Sequence, residues 1–263
     1  MKSVHRKQIR YIQQTMAPVP TILLVCGYYH KSEKKEAGCE GNAKDIAAGC
    51  RCVSASSTTS GDYFVRVLQQ QPNLRELVWR LEKVATEVVV VFMYDIAHKK
   101  LARTALPKYT HVVLSGGNYN LDNIDTDYLF DTVDVGMPIL GICQGFHLIC
   151  KKYASATIEA GATYKAVEAV RFERTGVLAA GDKSKCAFNH MMYAKTSDPN
   201  AVMHGDYAVA YESGHIVGVQ WHPEQDDASW GAGNTVPGRV DSNFPKLDIC
   251  GQKILFNVLI FRL

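Results

Sequence analysis

The sequence predicts an α/β fold: a three-layer, mostly parallel, doubly wound sheet with a nucleophile elbow and a small β-rich extension. Three observations predict it. Apolar runs recur at residues 21–26, 87–94, 110–114 and 137–142, the mark of strands buried on both faces. Helix-periodic stretches lie between them, as parallel strands joined by crossovers require. One of those strands runs straight into a cysteine flanked by glycines, Gly141-Ile142-Cys143-Gln144-Gly145. Alternation of this kind gives a flavodoxin-like, three-layer arrangement.

Taken in order, residues 1–20 form an arm that carries Lys2, Arg6, Lys7 and Arg10 and no acidic residue. It ends in Ala-Pro-Val-Pro, which breaks any helix before it. Residues 21–26 are the first buried strand. Residues 30–61, rich in Gly, Ser, Lys and Cys, read as a long loop with a short helix at 42–48, and loops of this length commonly flank a site. Residues 62–85 read as helix interrupted near Pro72, with Val65, Leu68, Leu74, Leu77, Val78 and Leu81 on the buried side. Residues 87–94, with four consecutive valines, form a central strand. The strand at 110–114 runs into Ser115-Gly116-Gly117-Asn118, and a helix at 125–133 leads to the elbow strand. Strand-like pieces at 164–172, 187–188 and 207–211 make the β-rich extension. Residues 225–245 read as loop, and an apolar helix at 249–261 closes the fold. The organisation is therefore an arm, 1–20, and one domain, 21–263.

The elbow concentrates the chemistry. From Gln144 the spacing turns helical, with Phe146, Ile149 and Cys150 on one face. A turn this tight leaves no room for side chains beside Cys143, so glycine is needed on both sides. The sulfur is lifted to the carboxyl edge of the sheet, facing the positive end of the next helix. A buried, inert cysteine is the competing account of this motif alone. A second stretch decides between them: Gln220-Trp221-His222-Pro223-Glu224, after alternating valines that read as a strand. In extended chain His222 and Glu224 leave one face, and a thiolate needs a proton shuttle whose ring is held in place.

On these two stretches and Leu114-Ser115-Gly116-Gly117, the chain resembles the class I glutamine amidotransferases and their γ-glutamyl-hydrolysing relatives. The order of Gly-Gly loop, cysteine, histidine and glutamate agrees with that family. The resemblance implies a catalytic Cys143, His222 and Glu224, acting on a γ-glutamyl amide through a thioester. It also implies Gly117 as one oxyanion donor, beside the Gln144 N–H that geometry supplies at the helix start. Gly116, His147 and Asn189 are expected to touch substrate. Two features depart from the family: His147 stands where glutamine-using members often have Gln, and Asn118 replaces a frequent proline. His147 has the alternative role of a satisfied core histidine. Asn189-His190 is either a pocket segment or a polar turn, and Trp230 either a γ-glutamyl-hydrolase feature or a packing residue.

The expected activity is glutaminase-type hydrolysis, with ammonia released or passed to a separate synthetase subunit. The alternatives are a γ-glutamyl peptide hydrolase and a non-catalytic regulatory relative. No cofactor and no metal are expected: Cys39, Cys50 and Cys52, with Cys26 and His30, lack the paired spacing of a zinc site. The net charge of +3 is spread without a basic, aromatic-interleaved stripe, which argues against a nucleic-acid partner. No apolar run approaches 18 residues, so no membrane span is expected. Eight cysteines without a secretory h-region point to the cytoplasm.

Overall fold

A computed structural model of the chain describes residues 20–28, 50–53, 61–171, 178 and 183–225. Residues 1–19 of the arm, the helices expected at 42–48 and 249–261, and the loop after residue 225 lie outside the described residues, as do His30, Cys39, Trp230 and Cys250.

The elements are β1 (Thr21–Gly27), β2 (Cys50–Cys52), α1 (Gly61–Gln70), α2 (Pro72–Glu82), β3 (Glu87–Phe92), α3 (Met93–Ala97), β4 (His111–Gly117), α4 (Thr126–Val133), β5 (Ile139–Ile142), α5 (Gln144–Tyr153), β6 (Thr157–Arg171), β7 (Lys183–Lys195), β8 (Ala201–His204), β9 (Tyr207–Ser213) and β10 (Ile216–Val219). Among the described residues, the strands form one sheet in the order β2-β3-β1-β4-β5-β10-β9-β7-β6, with β8 beside β9. The six strands from β2 to β10 pair in parallel. The rest pair antiparallel and are the β-rich extension.

Alternation along each parallel strand sorts the core into two layers. Ile22, Leu24, Val88 and Val90 pack with Phe64, Leu68, Leu77 and Leu81 of α1 and α2. Leu23, Val25, Val89 and Val91 face the other way, toward Leu129 and Phe130 of α4 and Phe146 and Ile149 of α5. Two apolar faces per strand are why these segments read as unbroken apolar runs.

Several boundaries differ from expectation, each for a local reason. The break expected near Pro72 is present and divides the segment into α1 and α2, because Pro72 has no N–H to donate and opens the second helix; that helix ends at Glu82 rather than at 85. β3 stops at Phe92, and Tyr94 lies in the short α3. β4 continues through Ser115, Gly116 and Gly117, so the Gly-Gly pair is strand end rather than loop. Residues 187–188 are the middle of a 13-residue strand, and Asn189-His190 lie in that strand, not in a turn.

The topology positions the site. The chain leaves β1 for β3 on one side and later returns to β4 on the other, so β1 and β4 border the switch point of the sheet. Open α/β sheets leave a crevice there, at the carboxyl ends of the strands. Gly27 pairs with Gly117 at that edge, and β5 ends beside it.

Candidate active site

Cys143 follows β5 directly and caps α5, with φ 51° and ψ −100°. Such a conformation costs a non-glycine residue on the order of 1–3 kcal/mol, so the surroundings must impose it. They do. The Cys143 N–H donates to the Val219 carbonyl at 2.8 Å, tying the elbow to β10. A Cβ at Gly145 would overlap the Leu114 carbonyl oxygen, and one at Gly141 would lie 2.6 Å from the Gly145 carbonyl oxygen. The strand–helix turn is therefore closed to any larger residue on either side of the sulfur.

His222 and Glu224 follow β10. They meet through a turn rather than the extended chain the sequence suggested: the Gln225 N–H donates back to the His222 carbonyl at 3.2 Å. His222 Nδ1 lies 2.7 Å from Glu224 Oε1, with both side chains at most 3% exposed. This contact fixes the ring so that Nδ1 carries the proton and Nε2 is left for the sulfur. Burial alone would lower the His222 pKa; the Glu224 charge and hydrogen bonding to Cys143 and Glu224 outweigh it and raise it well above 6.5. Gly116 shows how closely these groups gather. A Cβ there would lie 3.2 Å from His222 Cε1, 3.6 Å from Cys143 Cβ and 2.9 Å from the Tyr28 hydroxyl.

A pocket of about 400 Å³ opens onto the sulfur. Its walls include Gly117, Cys143, Gln144, His147 and Asn189, five of the residues expected from sequence. Gly116 is not among them and packs against Tyr28, His222 and Cys143. The Gln144 side chain closes one wall: Nε2 donates to the Tyr119 carbonyl, and Oε1 lies against Gly117 and Gly27. The Asn118 and Tyr119 N–H groups both donate to the Gly27 carbonyl at 3.2 Å, which holds the loop after β4 over the crevice. Gln144 begins α5, so its own N–H lies in the first turn, where helices leave donors unsatisfied.

His147 is a pocket residue and not a satisfied core histidine. It is 3% exposed, and its Nε2 is buried with no hydrogen-bond partner. Burial holds its pKa down at about 4, with the neighbouring His190 lowering it further and Gln220 and the Met192 carbonyl opposing. A native imidazole that refuses a proton the unfolded chain accepts at 6.5 makes stability fall as pH falls through the window from 6.5 to 4. From pH 7 to pH 5 this loss amounts to about 2 kcal/mol. We expect His147→Gln to lose that much less than wild type between these pH values in urea unfolding. His222, shifted the other way, contributes below 6.5 and loses its contribution only as pH rises through its raised value, so it does not mask the effect.

Other groups carried no sequence signal. Arg80 Nε donates to the Glu224 carbonyl at 2.7 Å, and Gln225 Nε2 donates to Asn73 Oδ1, so α2 anchors the His-Pro-Glu turn from about 150 residues away. Tyr28 sits close to Cys143; burial first, then the charges of Cys143 and Glu224, raise its hydroxyl well above 10. Gln220 Nε2 lies 3.8 Å from Cys143 Sγ, and the Asn189 carbonyl lies 4.0 Å from it on the opposite strand. Cys26, Cys50 and Cys52 are free thiols. Among the described residues no group of three or more His, Cys, Asp or Glu side chains is arranged to hold a metal. No described helix is long and apolar enough to cross a membrane.

The fold is thus a doubly wound α/β sheet with an elbow cysteine at its switch point, beside a buried imidazole–carboxylate pair. Residues 72–233, more than half of the chain, match the family model for glutamine amidotransferase class-I, and the chain belongs to that family. It is 26% identical over 126 residues to a GMP synthase (glutamine-hydrolyzing) subunit of Methanospirillum hungatei JF-1, covering 43% of this chain and 63% of the relative. Against the corresponding subunit of Methanoculleus marisnigri it is 30% identical over 139 residues, covering 49% and 69%. The match therefore spans less than two thirds of the first of these relatives. The fold is similar to that of PurLQS from Thermotoga maritima, with a TM-score of 0.53, 15% identity, and 92% and 99% of the two chains covered. The crystal structure of a Thermoplasma acidophilum protein assigned as a GMP synthase subunit is similar too, with a TM-score of 0.51 at 14% identity, over 92% and 94% of the chains.

Proposed function

We propose that the chain is a glutaminase-type hydrolase in which Cys143 is the nucleophile, His222 the proton shuttle and Glu224 the group that orients it. One observation carries this reading: the 2.7 Å contact between His222 Nδ1 and Glu224 Oε1, buried beside the elbow sulfur. The Cys143 thiol gives its proton to His222 and the sulfur attacks the glutamine carboxamide carbon, while the oxygen takes the negative charge, held by the N–H groups of Gly117 and Gln144. The C–N bond breaks as His222 delivers its proton to nitrogen, releasing ammonia and leaving a glutamyl thioester. His222 then takes a proton from water, which adds to the thioester, and returns that proton to the sulfur as the C–S bond breaks, freeing glutamate and the thiol. The relatives are named as single subunits of a synthase, which supports another polypeptide as the receiver of the ammonia.

A second reading, hydrolysis of γ-glutamyl peptides, draws support from His147 in place of Gln and from a pocket of about 400 Å³, within the size range that accepts drug-sized ligands. Ammonia release from glutamine and amine release from a γ-glutamyl dipeptide, measured side by side, separate the two. We expect faster release from glutamine. Hydrolysis of the dipeptide alone would favour the second reading, and silence with both, even with a candidate synthetase subunit present, would favour a non-catalytic relative.

A further inference from the structure

β4 does not reach Gly117 as a regular strand. Val25 of β1 pairs with Leu114 and Gly27 with Gly117, so Cys26 alone faces both Ser115 and Gly116, a bulge near the end of β4. The Ser115 side chain fills the break in the ladder. It is fully buried; its hydroxyl oxygen accepts from the Gly27 N–H at 3.0 Å, and its proton is donated to the Gly116 carbonyl at 2.6 Å. One hydroxyl thus bridges a backbone donor on β1 and a backbone acceptor on β4.

That carbonyl and the Gly117 N–H belong to one peptide unit. The unit is planar and trans, so the two groups point in opposite directions. The carbonyl is turned toward β1: a Cβ at Gly27 would lie 2.9 Å from its oxygen. The Gly117 N–H is therefore turned toward the other neighbour of β4, which is β5, the strand that delivers Cys143. Cys143 is close to this peptide, since a Cβ at Gly116 would lie 3.6 Å from Cys143 Cβ. Neither residue of the peptide carries a side chain, so a reversed orientation is open to the backbone, and a hydrogen bond must select between the two.

We propose that Ser115 is a positioning residue for acyl transfer: its hydroxyl holds the Gly116–Gly117 peptide in the orientation that aims the Gly117 N–H at the oxyanion. The role rests on the reading of Cys143 as the nucleophile and Gly117 as a donor to the oxyanion. Ser115 itself is buried and does not line the pocket, so it acts only through that peptide. Without the hydroxyl, the Gly27 N–H and the Gly116 carbonyl lose their bridge, and the peptide can swing its N–H away from the sulfur.

Ser115→Ala removes the bridge and Ser115→Thr keeps a hydroxyl; thermal melts of both establish that they fold. Two reactions of one sulfur are then compared. Hydrolysis of glutamine passes through an oxyanion, whereas alkylation by iodoacetamide, a displacement of iodide at a saturated carbon, does not. We expect Ser115→Ala to lower kcat for ammonia release by about 10²- to 10³-fold, the effect of losing one oxyanion donor, with KM for glutamine unchanged. Its Cys143 alkylation, read by site-resolved mass spectrometry, should match wild type, and Ser115→Thr should recover most of the turnover. Undiminished turnover in Ser115→Ala, alkylation that slows in step with turnover, or a folded Ser115→Thr as slow as Ser115→Ala would overturn the role. A wild-type chain that is alkylated at Cys143 but releases no ammonia would instead overturn the glutaminase reading, and the role of Ser115 with it, so the two failures are distinct.

Discussion

Cys143→Ala is expected to abolish ammonia release from glutamine, a loss of at least about 10⁴-fold, because no other group in the site can form the thioester. The neighbouring thiols are unsuited to replace it. Burial pushes Cys26 up to about 12 and raises Cys150 further still, and neither is exposed. The alanine variant should fold, since it keeps a Cβ in the same turn and removes a sulfur that is only partly buried. A coupled assay for ammonia checks the loss, and a thermal melt confirms the fold.

The second large effect falls on both activity and stability. His222→Ala removes the proposed proton shuttle, which should lower turnover by about 10³- to 10⁴-fold. It also leaves the Glu224 carboxylate, 2% exposed, without its imidazole partner. Breaking a buried pair by deleting one member costs about 3–5 kcal/mol, whereas removing both charges costs much less. We therefore expect His222→Ala to be strongly destabilised in urea unfolding, and the double variant His222→Ala, Glu224→Gln to recover much of that stability but none of the activity. Equal stability of the single variant and wild type would mean that the carboxylate does not depend on the imidazole.

Local chemistry explains which parts of this arrangement were legible in the sequence. The elbow was legible because its constraint is written in adjacent residues: a strand, a cysteine and two glycines whose missing Cβ atoms are required by the Leu114 and Gly145 carbonyls. The parallel strands were legible because burial on both faces leaves an unbroken apolar run, as in the four valines of β3. The ends of elements were less so. β4 runs on through Gly116 and Gly117 because pairing of Gly27 with Gly117 outweighs the low strand preference of glycine, and that pairing is a contact across about 90 residues. The supports of the His-Pro-Glu turn could not be read at all. Arg80 and Asn73 sit on a helix whose own pattern records only its buried side, while their function depends on where β10 ends. For His147 the sequence leaves ligand and satisfied core residue both open; the structure puts it on the pocket wall with its Nε2 buried and unsatisfied, a state that spacing on a helix does not encode.

In the proposed mechanism sulfur, imidazole and carboxylate act together in one cleft. A diazoketone analogue of glutamine, with the labelled cysteine located by mass spectrometry, tests this most directly. The expected result is a single adduct on Cys143 that forms at least about 100-fold more slowly in His222→Ala. A label on any other cysteine, or the same rate of labelling at Cys143 with and without the imidazole, would contradict it.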